Sequence, residues 1–171
     1  MLGFSGVLMK LPTAVVFFLL TLSPSQVRGA GGASDPFLGT WILEPELSHY
    51  PGKTCPREMT IEMTREARGV HYHSHTQPMA GEPFDVDYTA DYDGKPAMVT
   101  GSKSILLPVS LQRDGAAVIA TYRNAFQVAA TSKRTLSDDG RTMTITTISS
   151  DSTGVSVTNV GVYRRTATPT P

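Results

Sequence analysis

The sequence predicts an all-β fold, a single antiparallel up-and-down β-barrel of about eight to ten strands. Apolar and polar residues alternate with a period of two through most of residues 35–165, which is the pattern of strands with one buried face. Turn signals at Asp93-Gly94, Asp114-Gly115 and Asp139-Gly140 separate these segments, and no long helical pattern interrupts them. A meander of this length usually closes into a barrel, because closure removes unpaired strand edges.

Residues 1–30 have the composition of a cleaved signal peptide. Lys10 precedes an apolar run at 14–20, and small residues follow at 29–33. Either Met1 or Met9 can be the start. The apolar run is too short to span a bilayer, so we expect no integral membrane segment after the leader is removed. We therefore expect export to the periplasm or the medium.

The charge balance of the mature chain argues against two classes of partner. The sequence has 15 basic and 15 acidic residues, of which Lys10 and Arg28 belong to the leader, so 13 basic residues face 15 acidic ones. Nucleic acids and anionic membranes both require a basic surface, and neither is expected as a partner. Cys55 is the only cysteine, so an intramolecular disulfide cannot form, whereas an intermolecular one stays open.

The strands can be assigned in order along a barrel domain at 35–165, which a disordered tail at 166–171 follows. The first strand carries Trp41, the only tryptophan. The fourth predicted strand, at 84–92, has one aromatic and aliphatic face and one acidic face. The other predicted strands are at 37–43, 59–63, 70–75, 97–99, 105–112, 118–122, 126–130, 142–148 and 155–165.

Three short motifs resemble those of a known group of barrels. They are Asp-Pro-Phe-Leu-Gly-Thr-Trp at 35–41, Asp-Gly-Lys at 93–95 and Val-Tyr-Arg-Arg at 162–165. Together they make the chain resemble the calycin superfamily of lipocalins and fatty-acid-binding proteins, and more closely the small exported lipocalin-like proteins of bacteria. In that superfamily a Gly-x-Trp on the first strand packs under a basic residue of the last strand. The resemblance therefore implies structural closure by Gly39, Trp41 and Arg164, or its neighbour Arg165.

The resemblance also implies a non-enzymatic barrel that binds a small, mostly apolar molecule in its interior. The helix-turn-helix lid of fatty-acid-binding proteins has no room after Leu43. The same inward residues fit a packed core, so the alternative is a filled barrel with a structural or protein-interaction role in the cell envelope. The predicted ligand-binding residues are Met59, Ile61, Met63, Phe84, Val86, Tyr88, Tyr122, Phe126 and Met143.

A His-Tyr-His-Ser-His segment at 71–75 is the most distinctive local pattern. Alternate residues of a strand share a face, so the three histidines lie on one side. A symmetric hairpin with the following strand places His73 opposite Asp87 and His75 opposite Asp85, all on that face. The pattern therefore predicts a surface on which imidazoles and carboxylates meet.

This surface gives a third hypothesis, a metal site. His71, His73 and Asp87 are candidate ligands of Zn²⁺ or Cu²⁺, because both ions accept imidazole and carboxylate ligands. A solvated face of imidazole–carboxylate pairs explains the same pattern. No catalytic motif, phosphate-binding loop or cofactor fingerprint is present in the sequence. We therefore expect neither catalysis nor a cofactor.

Overall fold

The computed structural model describes residues 35–102, 107–125 and 127–166. The predicted signal peptide at 1–30, the predicted tail after Thr166 and the predicted lining residue Phe126 lie outside the described residues. Within the described ranges, no helix is long and apolar enough to cross a membrane.

Eleven β-strands form one antiparallel sheet in the described part of the chain, which confirms the predicted all-β antiparallel fold. Two single-turn 3₁₀ helices, Pro45–Leu47 and Pro51–Lys53, lie between the first two strands where a helical lid has no room. The strands are β1 (Gly39–Leu43), β2 (Glu58–Glu66), β3 (Gly69–Gln77), β4 (Phe84–Ala90), β5 (Asp93–Ala97), β6 (Thr100–Gly101), β7 (Val109–Asp114), β8 (Ala117–Asn124), β9 (Gln127–Leu136), β10 (Thr142–Ser150) and β11 (Ser156–Arg165).

The strand order makes the sheet curl until its two ends approach each other. Strands β1 to β4 form one meander and β7 to β11 another, and β1 joins them by pairing with both β2 and β11. β4 comes alongside β5 and β7 at Cα distances within 8 Å, but no backbone ladder among the described residues links them. The predicted closure is therefore incomplete, and we call the line where the two ends meet the seam.

The seam follows from the short strands β5 and β6. β5 pairs with β7 through a register shift between Asp93 and Pro96, and β6 pairs with β4 over only two residues. Proline has no N–H to donate, so Pro96 weakens the ladder at this point. These two short strands also bring the number of strands to eleven, slightly above the predicted number.

The end of the barrel formed by the β2–β3, β7–β8 and β9–β10 turns is filled by a packed core, and we call it the closed end. Trp41 is fully buried there, and its Nε1 donates a hydrogen bond to the Phe37 carbonyl at 2.9 Å, so the indole buries no unpaired donor. The buried core consists of Phe37, Trp41, Leu43, Ile61, Met63, Val70, Tyr72, Tyr88, Ala90, Val99, Val109, Leu111, Val118, Ala120, Met143 and Tyr163.

Arg165, not Arg164, stacks on Trp41. Arg165 lies directly opposite Trp41 in the β1–β11 ladder, so both side chains share a face, and its Cζ is 4.2 Å from the centre of the indole ring. Arg164 lies opposite Ile42, is exposed and pairs with Glu44. Of the two candidate arginines, the first named, Arg164, is wrong by one residue, because one step along a strand reverses the face.

Gly39 allows the Arg165 side chain to cross β1 closely. The φ angle of Gly39 is +125°, and a Cβ at this position would lie 3.0 Å from Arg165 Nη1. The guanidinium donates hydrogen bonds to the carbonyls of Leu38 at 2.6 Å, Gly140 at 3.0 Å and Pro36. The packing of a basic residue of the last strand on Trp41, which the resemblance implies, is therefore present, with Arg165 in the place of Arg164.

A buried carboxylate, Asp35, attaches the start of the domain to the closed end. Arg113 Nη2 donates to Asp35 Oδ1 at 2.6 Å, Arg65 Nη2 lies 3.5 Å from Oδ2, and the Tyr92 hydroxyl donates to the same oxygen. Burial alone raises the pKa of Asp35, but the hydrogen bonds from Tyr92, the Phe37 backbone N–H and Arg113 bring that pKa below its ordinary value. Asp35 is therefore a charged anchor at neutral pH.

Candidate functional site

A cavity of about 600 Å³ occupies the end of the barrel opposite the closed end. It lies between the second half of β3, the first half of β4 and the facing strands β8 to β11. Aromatic, aliphatic and hydroxyl-bearing side chains line it, together with one arginine, Arg134. The barrel is therefore filled at one end and hollow at the other.

The predicted ligand-binding residues divide between these two ends. Alternation identifies the inward face of a strand, but it does not tell how far along the strand the interior is filled. Those that line the cavity are Met59, Phe84, Val86 and Tyr122. Those that point inward but belong to the packed core, and so correct the predicted lining, are Ile61, Met63, Tyr88 and Met143.

A smaller cavity of about 140 Å³ lies at the seam and adjoins the larger one. Thr100 and Leu107 line it, together with Phe84 and Tyr122, which line both cavities. The interior space therefore extends to the seam.

Arg134 puts a permanent positive charge on the cavity wall. It lies on β9, is 3% exposed, and carries a guanidinium that stays protonated at any physiological pH. No carboxylate among the described residues forms an ion pair with it, and its Nε is buried without a hydrogen-bond partner there. Because burying an unpaired charge costs several kcal/mol, this position is unfavourable unless an anion can reach the guanidinium.

Neutral tyrosines surround the Arg134 guanidinium. Its Nη2 donates to the Tyr88 hydroxyl, and its Cζ lies 4.8 Å from the centre of the Tyr72 ring, which stacks on Tyr88 at 4.7 Å. Burial raises the pKa of Tyr72 to about 12 and the pKa of Tyr88 well above its ordinary value, so neither is an anion. The Tyr88 hydroxyl orients the guanidinium and the Tyr72 ring stabilises it by cation–π attraction, but neither neutralises its charge.

A row of polar side chains crosses the cavity wall beside Arg134. Ser132 on β9, Thr147 on β10 and Asn159 on β11 lie directly opposite one another in the two ladders. The Ser132 and Thr147 hydroxyl oxygens are 2.7 Å apart, and Asn159 Oδ1 is buried without a hydrogen-bond partner among the described residues. The β9–β11 wall of the cavity therefore combines a cation with unused hydrogen-bonding capacity.

The sequence contained a signal for Arg134 that the prediction did not use. Val128 and Ala130 are two residues apart, so they share one face of their strand. The same face continues at Ser132 and Arg134. A charged residue on a predicted inward face was the informative feature. Asn159 had a weaker signal of the same kind, because it shares a face of β11 with Val157 and Tyr163 but is neutral, and a neutral polar residue stands out less than a charge.

The histidine surface lies on the outside of β3 and β4. The predicted register is confirmed, with His73 opposite Asp87 and His75 opposite Asp85. His71 Nε2 and His73 Nδ1 each lie 3.1 Å from a different oxygen of Asp87, and His75 Nδ1 lies 2.6 Å from Asp85 Oδ1. In the described ranges, no group of three or more His, Cys, Asp or Glu side chains is arranged to hold a metal ion. The observed arrangement is a set of imidazole–carboxylate pairs.

Comparison with known proteins finds similarity only among solved structures, since no family model and no curated protein matches the chain. The REP1-NXSQ fatty acid transporter matches with a TM-score of 0.51 at 16% identity, over 77% of this chain and 96% of the transporter. Zebrafish ileal bile acid-binding protein complexed with cholic acid matches with a TM-score of 0.52 at 10% identity, over 77% of this chain and 99% of that protein. A mutant of the transporter gives a TM-score of 0.50 at 17% identity, over 75% of this chain and 97% of its own.

These similarities concern the fold. At identities of 10% to 17% they show that the chain shares the antiparallel β-barrel fold of the matched proteins. The finer resemblance to small exported lipocalin-like proteins of bacteria stays a prediction.

Proposed function

We propose that this protein binds a small, mostly apolar molecule with an anionic group inside its barrel and performs no chemistry on it. The observation that carries the proposal is Arg134, a buried cation without an acidic partner among the described residues, on the wall of a cavity of about 600 Å³. A cavity of this volume is in the range that accommodates small-molecule ligands.

The apolar part of the ligand would contact the side of the cavity formed by Met59, Phe84, Val86 and Tyr122. Each square ångström of apolar surface removed from water contributes about 25 cal/mol, so a long apolar body supplies most of the affinity. Met59 adapts to irregular shapes because its side chain is unbranched and polarisable. This wall favours an apolar body without requiring one particular shape.

The anionic group would pair with Arg134. A guanidinium presents parallel N–H donors that match the two oxygens of a carboxylate, and such charged hydrogen bonds contribute about 1.5–3 kcal/mol. Tyr88 and Tyr72 already hold the guanidinium in place, so little side-chain freedom remains to be lost on binding. An anion would also offset the unfavourable burial of an unpaired charge.

The matched structures support the same class of ligand. One is described as a fatty acid transporter and another as a complex with cholic acid, and both kinds of molecule combine a carboxyl group with a large apolar body. The matched structures share only the fold with this chain, whereas Arg134 is a feature of this chain itself. The predicted leader at 1–30 adds the proposal that binding takes place outside the cytoplasm.

Native mass spectrometry of the protein, purified from its own host without denaturation, tests the proposal. We expect the mass of a chain without the leader, plus a bound organic acid that organic extraction removes and that the Arg134→Met variant lacks. A bare wild-type mass, together with no binding of an anionic naphthalenesulfonate dye, would overturn the binding function. A chain that retains residues 1–30 would overturn only the proposed export.

A further inference from the structure

We infer that the cavity selects an acid that carries a hydroxyl group part-way along its apolar body, and discriminates against the plain alkyl acid. This inference rests on the proposed function and specifies the ligand of the same site. Its basis is the polar row of Ser132, Thr147 and Asn159, which lies beside Arg134 and has hydrogen-bonding capacity that no described residue uses.

The polar row offers both an acceptor and a donor. Asn159 Oδ1 is a buried acceptor without a partner among the described residues. In the Ser132–Thr147 pair, whose oxygens are 2.7 Å apart, one hydroxyl proton is used between the two groups and the other is free to be donated. A ligand hydroxyl can donate to Asn159 and accept from this pair, whereas a methylene group leaves the buried acceptor unpaired.

The position of the row predicts where the hydroxyl lies in the ligand. Ser132 and Arg134 are alternate residues of β9, about 7 Å apart along the strand, and Thr147 and Asn159 follow on neighbouring strands at about 4.8 Å each. When the acid group of a ligand pairs with Arg134, the polar row therefore contacts a point part-way along the apolar body of that ligand. The favoured hydroxyl is then a mid-chain one and is not adjacent to the carboxyl group.

A purely structural explanation of the row accounts for only part of it. Ser132 and Thr147 satisfy each other across β9 and β10, as a structural pair would. Asn159 Oδ1 has no such partner in the described part of the chain, although it is buried. In the ligand-free protein, water in a cavity of this size can serve these groups, so a ligand hydroxyl replaces water and its advantage is modest.

Displacement of an anionic naphthalenesulfonate dye measures this preference. The competitors are dodecanoate and the positional isomers of monohydroxydodecanoate, which share one length and one charge. We expect at least one mid-chain isomer to bind about fivefold to tenfold more tightly than dodecanoate, the gain of one net hydrogen bond at a buried acceptor. If every isomer binds no more tightly than dodecanoate, the inference is wrong.

Matched variants assign the preference to the row. Asn159→Leu keeps a similar side-chain volume, and we expect it to abolish the preference while dodecanoate binds as in the wild type or more tightly. Asn124→Leu, at an exposed position on β8, should keep the preference. Thr147→Val provides a second variant if Asn159→Leu does not fold, and it should reduce the preference.

A preference that persists in these row variants contradicts the inference, whereas failure of dodecanoate itself to displace the dye contradicts the proposed function.

Discussion

At the scale of single residues, Asp35 determines how firmly the chain start is attached to the barrel. Its side chain is 1% exposed and meets Arg113, Arg65 and Tyr92. The folded protein holds the pKa of Asp35 below its ordinary value of 3.8, through hydrogen bonds that outweigh the effect of burial. A carboxyl group with a lowered pKa contributes stability that is complete above the unfolded value and is lost as the pH falls through the folded one.

We predict that Asp35→Asn lowers the free energy of unfolding at neutral pH by about 2 kcal/mol, because Arg113 loses a buried charged partner. The variant should also lose less stability than the wild type as the pH falls below 3.8. Urea unfolding followed by far-ultraviolet circular dichroism, at neutral and acid pH, measures both effects.

Asp114→Asn is the matched control for this prediction. Asp114 pairs with Lys133 at 3.4 Å, but both side chains are more than half exposed. Pairs of this kind contribute little, so the control should unfold at the urea concentration of the wild type. An Asp35→Asn variant with the wild-type acid profile would show that the buried carboxylate does not anchor the start of the domain.

Two arginines show what the sequence can and cannot predict about single residues. The motifs predicted that a basic residue of the last strand covers Trp41, but choosing between Arg164 and Arg165 required the register of β11 against β1. For Arg134, alternation indicated the inward face, yet its lack of an acidic partner depends on residues distant in sequence. Local pattern determines the face of a residue, and tertiary contacts determine its role.

At the scale of elements, the β2–β3–β4 meander was the most predictable part of the fold. Strict alternation and the short β2–β3 turn determined the register of β2 against β3, and a symmetric hairpin between β3 and β4 predicted the opposition of His73 and Asp87. β5 and β6 were not predicted as they occur. Residues 93–94, which have the Asp-Gly signature of a tight turn, instead begin β5, and β6 is too short to carry a periodic signal.

We predict that amide hydrogens of β5 and β6 exchange with solvent at least ~100-fold faster than those of β2 and β3, because local opening frees them at lower energy. Among the described residues, β5 and β6 are the end strands of the sheet, whereas β2 and β3 are paired on both sides. Hydrogen exchange measured by nuclear magnetic resonance resolves the two groups. Equal protection would mean that the seam is joined by a ladder in solution.

At the scale of the whole molecule, the barrel combines a packed end with a hollow one. The sequence left both alternatives open, since an inward face can line a cavity or fill a core. The difference lies in side-chain size. Large residues such as Trp41 and Met143 fill the closed end, whereas hydroxyl-bearing residues such as Ser74, Thr76 and Ser132 face the cavity. Whether the inward side chains fill the barrel interior also depends on strand tilt and curvature, which alternation does not encode.

The central claim is that Arg134 binds the anionic group of a ligand inside the cavity. Isothermal titration calorimetry with dodecanoate and its neutral analogue 1-dodecanol tests it most directly, using the wild type, Arg134→Met and the exposed control Arg123→Met. We predict that Arg134→Met weakens dodecanoate binding about 10-fold to 100-fold, the loss of a charged hydrogen-bonded pair, and leaves 1-dodecanol binding nearly unchanged. Arg123→Met should bind both as the wild type does. Equal dodecanoate affinity in the wild type and Arg134→Met, or no binding to the wild type, would contradict the claim.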